Sequence, residues 1–261
     1  MTYAWVAFYS FRRHAAYPLS ALAEALTNSV FGIVRASILI ALWKTRPSLG
    51  GYDSADAITF CFLTQALLAP VQIFGGIELT ERVRTGDVAI DLHRPVDLQG
   101  WWLADDLGRA ACYLLLRSVL PLAVAAVLFP LRWAPPATLA AFLVSALLAV
   151  LVSFGLRYIV ALSMFWLHDD RGLAAVMVVA SMFFSGMILP LVVFPGWLGT
   201  IARALPWAAL IQVPADVFLG KRTGTGLLSG YGFQLGWALA LLAAGRGLTA
   251  LAGRRLVING G

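Results

Sequence analysis

The chain has 261 residues, 61% hydrophobic and 12% charged, with a mean hydropathy of +0.84; soluble domains carry roughly 25% charged residues, so water is not its main solvent. The formal charge of +6 does not mark a nucleic-acid binder, because the basic residues sit between apolar runs and form no stripe. Cys61 and Cys112 stand far apart inside apolar stretches, which leaves no disulfide framework or cysteine zinc site and makes them small packing residues.

A bilayer core about 30 Å thick takes a helix of roughly 20 apolar residues. The length therefore fits several spans and leaves little for a soluble domain, so a single membrane domain over residues 1–261 is expected. From Met1 to Pro18 there is no compact apolar core followed by a small-residue cleavage site, and no cleaved signal peptide is expected. Wound onto a helix, this stretch puts Ala4, Phe8, Phe11 and Ala15 on one side and Tyr3, Ser10, Arg13 and His14 on the other. That is the pattern of a helix lying in the membrane interface, with Arg12 on the apolar arc snorkelling to headgroups; a tail with scattered aromatics is the other reading.

About six apolar runs follow: Ala25–Trp43, Ala57–Ile77, Ala110–Phe129, Thr138–Phe165, Leu173–Phe194 and Tyr231–Leu251. Glu24 stands at the start of the first and Arg35 inside it, and the fourth is longer than a bilayer requires, so it tilts or projects. An even number of spans with both ends cytoplasmic places Arg12, Arg13, Arg82, Arg84, Arg94, Arg109, Arg171, Arg246, Arg254 and Arg255 on the cytoplasmic side. Lys44, Arg46, Arg132, Arg203, Lys221 and Arg222 then lie outside, the bias that positive charge imposes on topology.

The longest polar segment, 78–109, joins the second and third runs. It reads as two short helices hinged at Gly86, which ends the first in a left-handed conformation; Asp87 caps the second and Pro95 stops it. Val88 and Leu92, one turn apart, share an apolar face suited to a partner's groove; a solvated loop is the alternative. Trp101, Trp102, Asp105, Asp106 and Arg109 then read either as an in-plane helix leading into the third span or as its aromatic anchor.

The other unusual stretch runs from Phe183 to Leu198 and on through Leu205-Pro206-Trp207 to Pro214 and Gly220, broken repeatedly by proline and glycine. Broken helices persist at membrane depth where protein or a water-filled cavity satisfies the freed backbone. The stretch is thus a re-entrant hairpin, or a kinked span followed by an amphipathic external loop.

Signals for bond-making chemistry are poor. There is no phosphate-binding loop, since Gly220-Lys221-Arg222 lacks the leading glycine and the Ser/Thr that would reach magnesium. No G-x-S-x-G elbow occurs, and His14, His93 and His168 stand away from a nucleophile. His168-Asp169-Asp170 has no second histidine nearby and reads as a solvated turn. Arg117 and Arg157, within or near apolar runs, are expected to snorkel or pair, while Arg35 is a candidate to line a pathway. Only Glu24 approaches an apolar run among the acids, and no internal repeat is visible, so an ion-coupled secondary transporter has little support; a non-transporting membrane scaffold stays open.

Over nearly its whole length the chain resembles the six-span permeases of ABC-2 type exporters, in the bacterial group that works with a separate ATPase. The most telling residues run from Arg84-Thr85-Gly86-Asp87 through Asp91-Leu92-His93-Arg94-Pro95 to Asp97. Further matches are Phe184-Ser185-Gly186, Pro190, Phe194-Pro195-Gly196-Trp197-Leu198, Leu205-Pro206, Pro214, Phe218-Leu219-Gly220, Arg254-Arg255 and Gly260-Gly261. The resemblance implies an all-α integral membrane protein of the bacterial cytoplasmic membrane. It also implies an N-terminal amphipathic elbow helix over 1–18, a cytosolic coupling segment over 78–109 and a re-entrant extracellular segment over 195–230. It implies a second permease, identical or homologous, and two copies of an ABC ATPase that carry the ATP and Mg, with no cofactor and no catalysis on this chain. By the same resemblance Arg84, Gly86, Asp87, Asp91, Leu92, Arg94 and Pro95 couple to the ATPase. Phe184, Ser185, Gly186, Pro190, Phe194, Pro195, Trp197 and Pro206 belong to the extracellular gate. The cargo is not specified.

Overall fold

The computed structural model describes residues 1–47, 49–167 and 171–259, with side chains as far as residue 253. Twelve α-helices and no strand occur among the described residues. The helix α1 (Thr2–Ala15) leads into α2 (Pro18–Thr45), α3 (Ser54–Val71), and the short pair α4 (Leu79–Thr85) and α5 (Val88–Leu92). Then come α6 (Leu98–Leu116), α7 (Val119–Leu128), α8 (Pro136–Ser163) and α9 (Arg171–Phe184). The short α10 (Gly196–Ala204) and α11 (Gln212–Phe218) precede the long α12 (Thr225–Asn259).

Five helical stretches among the described residues are long and apolar enough to cross a membrane: Pro18–Thr45, Ser54–Val71, Leu98–Leu128, Pro136–Ser163 and Thr225–Gly253. The fifth predicted run does not extend to Phe194. It stops as α9, whose 14 residues span about 21 Å at 1.5 Å per residue. The chain turns at Gly186, where φ is +88°, and only a short 3-10 turn, Leu191–Val193, follows Pro190 before α10 starts after Pro195. The segment His168-Asp169-Asp170 and the ends Arg254-Arg255 and Gly260-Gly261, singled out in the sequence, lie outside the described side chains.

Helix α3 is the buried axis of the bundle. Its N-terminus is closed by a reciprocal box: Asp56 N donates to Asp53 Oδ1 at 2.8 Å, and Asp53 N to Asp56 Oδ2 at 3.2 Å. From Asp56 to Val71 every residue is buried. Pro70 has no N–H for the carbonyl of Ala66, and the Ser118 hydroxyl donates to that carbonyl instead. The helix ends at Val71, six residues short of the predicted Ile77, with Gln72 after it in a left-handed conformation, φ +49°. Its last carbonyls are claimed by other helices: Arg109 donates to Ala69 at 2.9 Å and Pro70 at 3.0 Å, and Ser153 donates to Val71. A cation at a helix C-terminus also complements the helix dipole.

The third span begins at Leu98, not Ala110. The predicted in-plane helix is simply the first turns of α6. Trp102, expected at a headgroup belt under the other reading, is buried against Phe154, Tyr158 and Leu162 of α8. Helix α1 packs its polar arc against α6: Ser10 Oγ donates to the Asp105 carbonyl at 2.7 Å, Asp97 N donates to the Tyr3 hydroxyl at 3.3 Å, and the His14 ring meets Tyr113 edge-on. Trp5, Phe8, Tyr9 and Arg12 face away from the bundle. The two helices cross at Gly108, where a first side-chain carbon would lie 2.0 Å from the Ala7 carbonyl oxygen. Gly108→Val is therefore expected to lift α1 off α6, and limited trypsinolysis would read this as faster cutting at Arg12 and Arg13, on the order of tenfold.

Candidate functional site

The α4–α5 pair is built as the sequence suggests, hinged at Gly86 with φ +86°. Asp87 does not cap α5, however. It has helical backbone angles, and its carboxylate instead accepts from Thr85 Oγ1 at 3.0 Å. The Val88–Leu92 face points inward: Val88 is fully buried and Leu92 half-buried against a cluster formed with Leu79, Trp102 and the Phe154–Leu162 stretch of α8. The apolar ridge is thus spent inside the bundle.

Asp91 is also buried, and braces the hinge. Arg82 grips it with Nε and, at 2.9 Å, with Nη2, while Arg94 approaches at 3.3 Å. Arg94 lies back over the Trp101 ring, 5.3 Å from its centre. What faces outward is Arg84, paired with Glu81 at 2.6 Å, together with Gly86, Asp87, His93, Pro95 and Ile90. Ile90 is 60% exposed. The sequence reading missed it, although its position half a turn from both Val88 and Leu92 puts it opposite the ridge.

At the other end of the bundle the broken stretch is organised by Gln212. Its main-chain N–H donates to the Ser185 carbonyl at 3.0 Å, its Oε1 accepts from Leu191 N at 2.8 Å, and its Nε2 donates to the Tyr52 hydroxyl at 3.0 Å and to Asp216 Oδ1 at 2.8 Å. The Tyr52 hydroxyl donates to the same carboxylate. A first side-chain carbon at Gly186 would crowd Gln212 Oε1 at 3.0 Å, and the φ of +88° would strain any other residue there. Ser185, Gly186, Pro190 and Pro206 are buried in this junction, while Phe184 and Phe194 are half-buried on its flank. Pro195, just before α10, and Trp197 on it, 74% exposed, both face outward. Burial pushes the Tyr52 phenol well above its ordinary value, and the adjoining Asp216 carboxylate pushes the same way. Nearby, the buried Asp56 carboxylate sits between Arg132 Nε at 2.7 Å and Lys221 Nζ at 2.6 Å.

Between the ends lies a buried charge trio. Asp106, 3% exposed, receives Arg157 at 3.0 and 2.7 Å and Arg109 Nε at 3.0 Å. Arg157 also reaches Gln72 at 3.1 Å and Ser153 at 3.2 Å. Asp106 was overlooked as a span residue because the run was started at Ala110. Arg117, as expected, pairs, with Glu24.

Among the described residues no group of three or more potential metal ligands converges. A family model described as "ABC-2 family transporter protein" matches residues 31–260. No curated protein matches the chain.

Proposed function

The chain belongs to the ABC-2 family of transporter proteins, and on that premise we propose that it is the membrane-spanning permease of an ATP-driven exporter. In this reading it pairs with a second permease, identical or homologous, and two copies of a separate ABC ATPase supply the ATP and Mg. With the short α9 as a sixth crossing beside the five long ones, both chain ends lie in the cytosol of a bacterial cell; α1 is the interfacial elbow, α4–α5 is the coupling element, and the stretch from Ser185 to Phe218 is the re-entrant external segment.

The observation that carries the coupling assignment is the outward tip of α4–α5. It presents a single large aliphatic side chain, Ile90, beside Arg84, Asp87 and Arg94, on a hinge fixed from within by the Asp91 brace. An apolar anchor ringed by charge is what a shallow groove on a partner recognises. Such a docking element acts by position, and it makes and breaks no bonds.

The double variant Ile90→Asp with Asp87→Lys tests this. Both residues are exposed, so insertion and elution in detergent are expected to stay unchanged. Recovery of the ATPase in pull-downs from native membranes should fall by about 30-fold, the loss of one interface anchor worth about 2 kcal/mol. Undiminished recovery would remove α4–α5 from the coupling role.

A further inference from the structure

Arg35 is the only charged residue of α2 between Glu24 and Lys44. A guanidinium at such depth is costly unless it meets a partner, and it faces protein or water by default. Among the described residues the other arginines at span depth have carboxylates: Arg109 and Arg157 share Asp106, and Arg117 takes Glu24. Arg35 has none. Its Nη2 donates to the main-chain carbonyls of Met187 and, at 3.0 Å, of Ile188, just past the Gly186 turn. Its Nη1 is enclosed and has no hydrogen-bond partner. Two neutral carbonyls hold the group in place and leave its charge uncompensated.

The surroundings say what kind of anion fits. Phe31, Val34 and Ile38 on the same helix, and Ile188 at the carbonyl end, are all large, apolar and exposed. Among the described residues every carboxylate on the spanning helices is already engaged by a cation, so a second copy has none to spare for Arg35. Glu24 is eleven residues earlier on the same helix, about 16 Å along the axis, and is already engaged; Asp106 is sealed between two arginines. The missing charge must come from something that is itself mostly apolar.

We propose that Arg35 is the recognition point for the acidic head, phosphate or carboxylate, of an amphiphile whose tail lies along the exposed apolar strip of α2. On the permease reading above, on which this identification of cargo rests, the amphiphile is what the exporter moves. Swung off the Met187 and Ile188 carbonyls, the planar guanidinium would suit either head group because it can offer paired N–H donors to two oxygens.

Binding is measured on the purified permease in uncharged detergent, with pyrene-labelled phosphatidylglycerol, pyrene-labelled fatty acid and pyrene-labelled phosphatidylcholine. Wild type should hold both anionic probes about tenfold more tightly than the zwitterionic one. Arg35→Gln should abolish that preference, Arg35→Lys should keep part of it, and Arg12→Gln, on the outer face of α1, should leave it whole. Equal binding of all three probes to wild type overturns the inference without needing any variant to fold. So does displacement of the anionic probes by inorganic phosphate at matching concentration, which would mark a site for free anions. A preference for one anionic probe over the other identifies the head group as phosphodiester or carboxylate, within the proposal. A second arm, vesicles holding the permease with its co-purified ATPase, should show ATP hydrolysis stimulated by the preferred anionic probe in wild type and not in Arg35→Gln. Failure to recover any ATPase would sink the exporter reading and leave the binding result standing.

Discussion

Asp106→Ala is expected to destabilise the permease by about 3–5 kcal/mol, the usual cost of leaving buried charge without its counterion. The trio carries one negative and two positive charges, all three side chains buried. Removing the acid raises the buried charge from one net positive to two, whereas Arg157→Met brings it to zero and leaves Asp106 with Arg109. The order of the two variants is therefore fixed by charge balance, although Arg157 makes more hydrogen bonds to the carboxylate than Arg109 does. Heating detergent-solubilised protein and measuring the monodisperse fraction should show Asp106→Ala far below Arg157→Met. Equal stability would mean that water reaches the trio and screens it. Because Arg109 also closes the C-terminus of α3, the same loss should loosen the chain from Pro70 to Gly76, read as faster hydrogen exchange there.

Gln212→Leu should cost about 3 kcal/mol, since it strands the buried Leu191 N–H and removes a donor from Asp216, each worth about 1–3 kcal/mol when left unmade. Gln212→Glu keeps the acceptor for Leu191 but sets a second carboxylate against Asp216, so its defect should be largest at neutral pH and shrink in acid. Asp216 sets the direction. Burial raises its carboxyl above the ordinary range, opposed by the Tyr52 hydroxyl, Arg222 and Gln212. The folded chain thus holds that proton more tightly than the unfolded one. Its contribution is complete below the ordinary carboxylate range and is lost as pH rises through the raised value. Thermal midpoints from pH 4 to 8 should separate wild type from Gln212→Glu progressively; parallel curves would show that the two carboxylates do not interact.

Apolar run length placed the long helices, because hydropathy over some twenty residues is a local property. What it misjudged were their ends. Counting Asp106 and Arg109 as punctuation cut the third span short; Asp106 sits inside it because it pairs both with Arg109 and with Arg157, 51 positions away. Gln212 carried no local signal, since its role depends on Tyr52, 160 positions earlier. Periodicity correctly joined Val88 to Leu92 in one face but is silent on which way a face points, so the inward ridge was taken for the outward one and Ile90 was missed. Glycine and proline were more informative, because backbone restrictions act on the spot: Gly86 and Gly186 both adopt the left-handed angles that end their helices.

Helix α8 touches both ends of the molecule. Near Leu162 it is packed into the cluster that holds α4 and α5, and near Phe142 its ring meets Phe218 of α11 edge-on, with centres 5.3 Å apart. No proline interrupts the stretch between. It is a stiff rod about 30 Å long over those contacts. Pivoted at the Leu162 end, a tilt of about 10° sweeps Phe142 through about 5 Å, close to the rise of one helical turn. A rotation of about 10° at the α4–α5 end would therefore be geared up into a displacement of about 5 Å beneath the Gln212 junction.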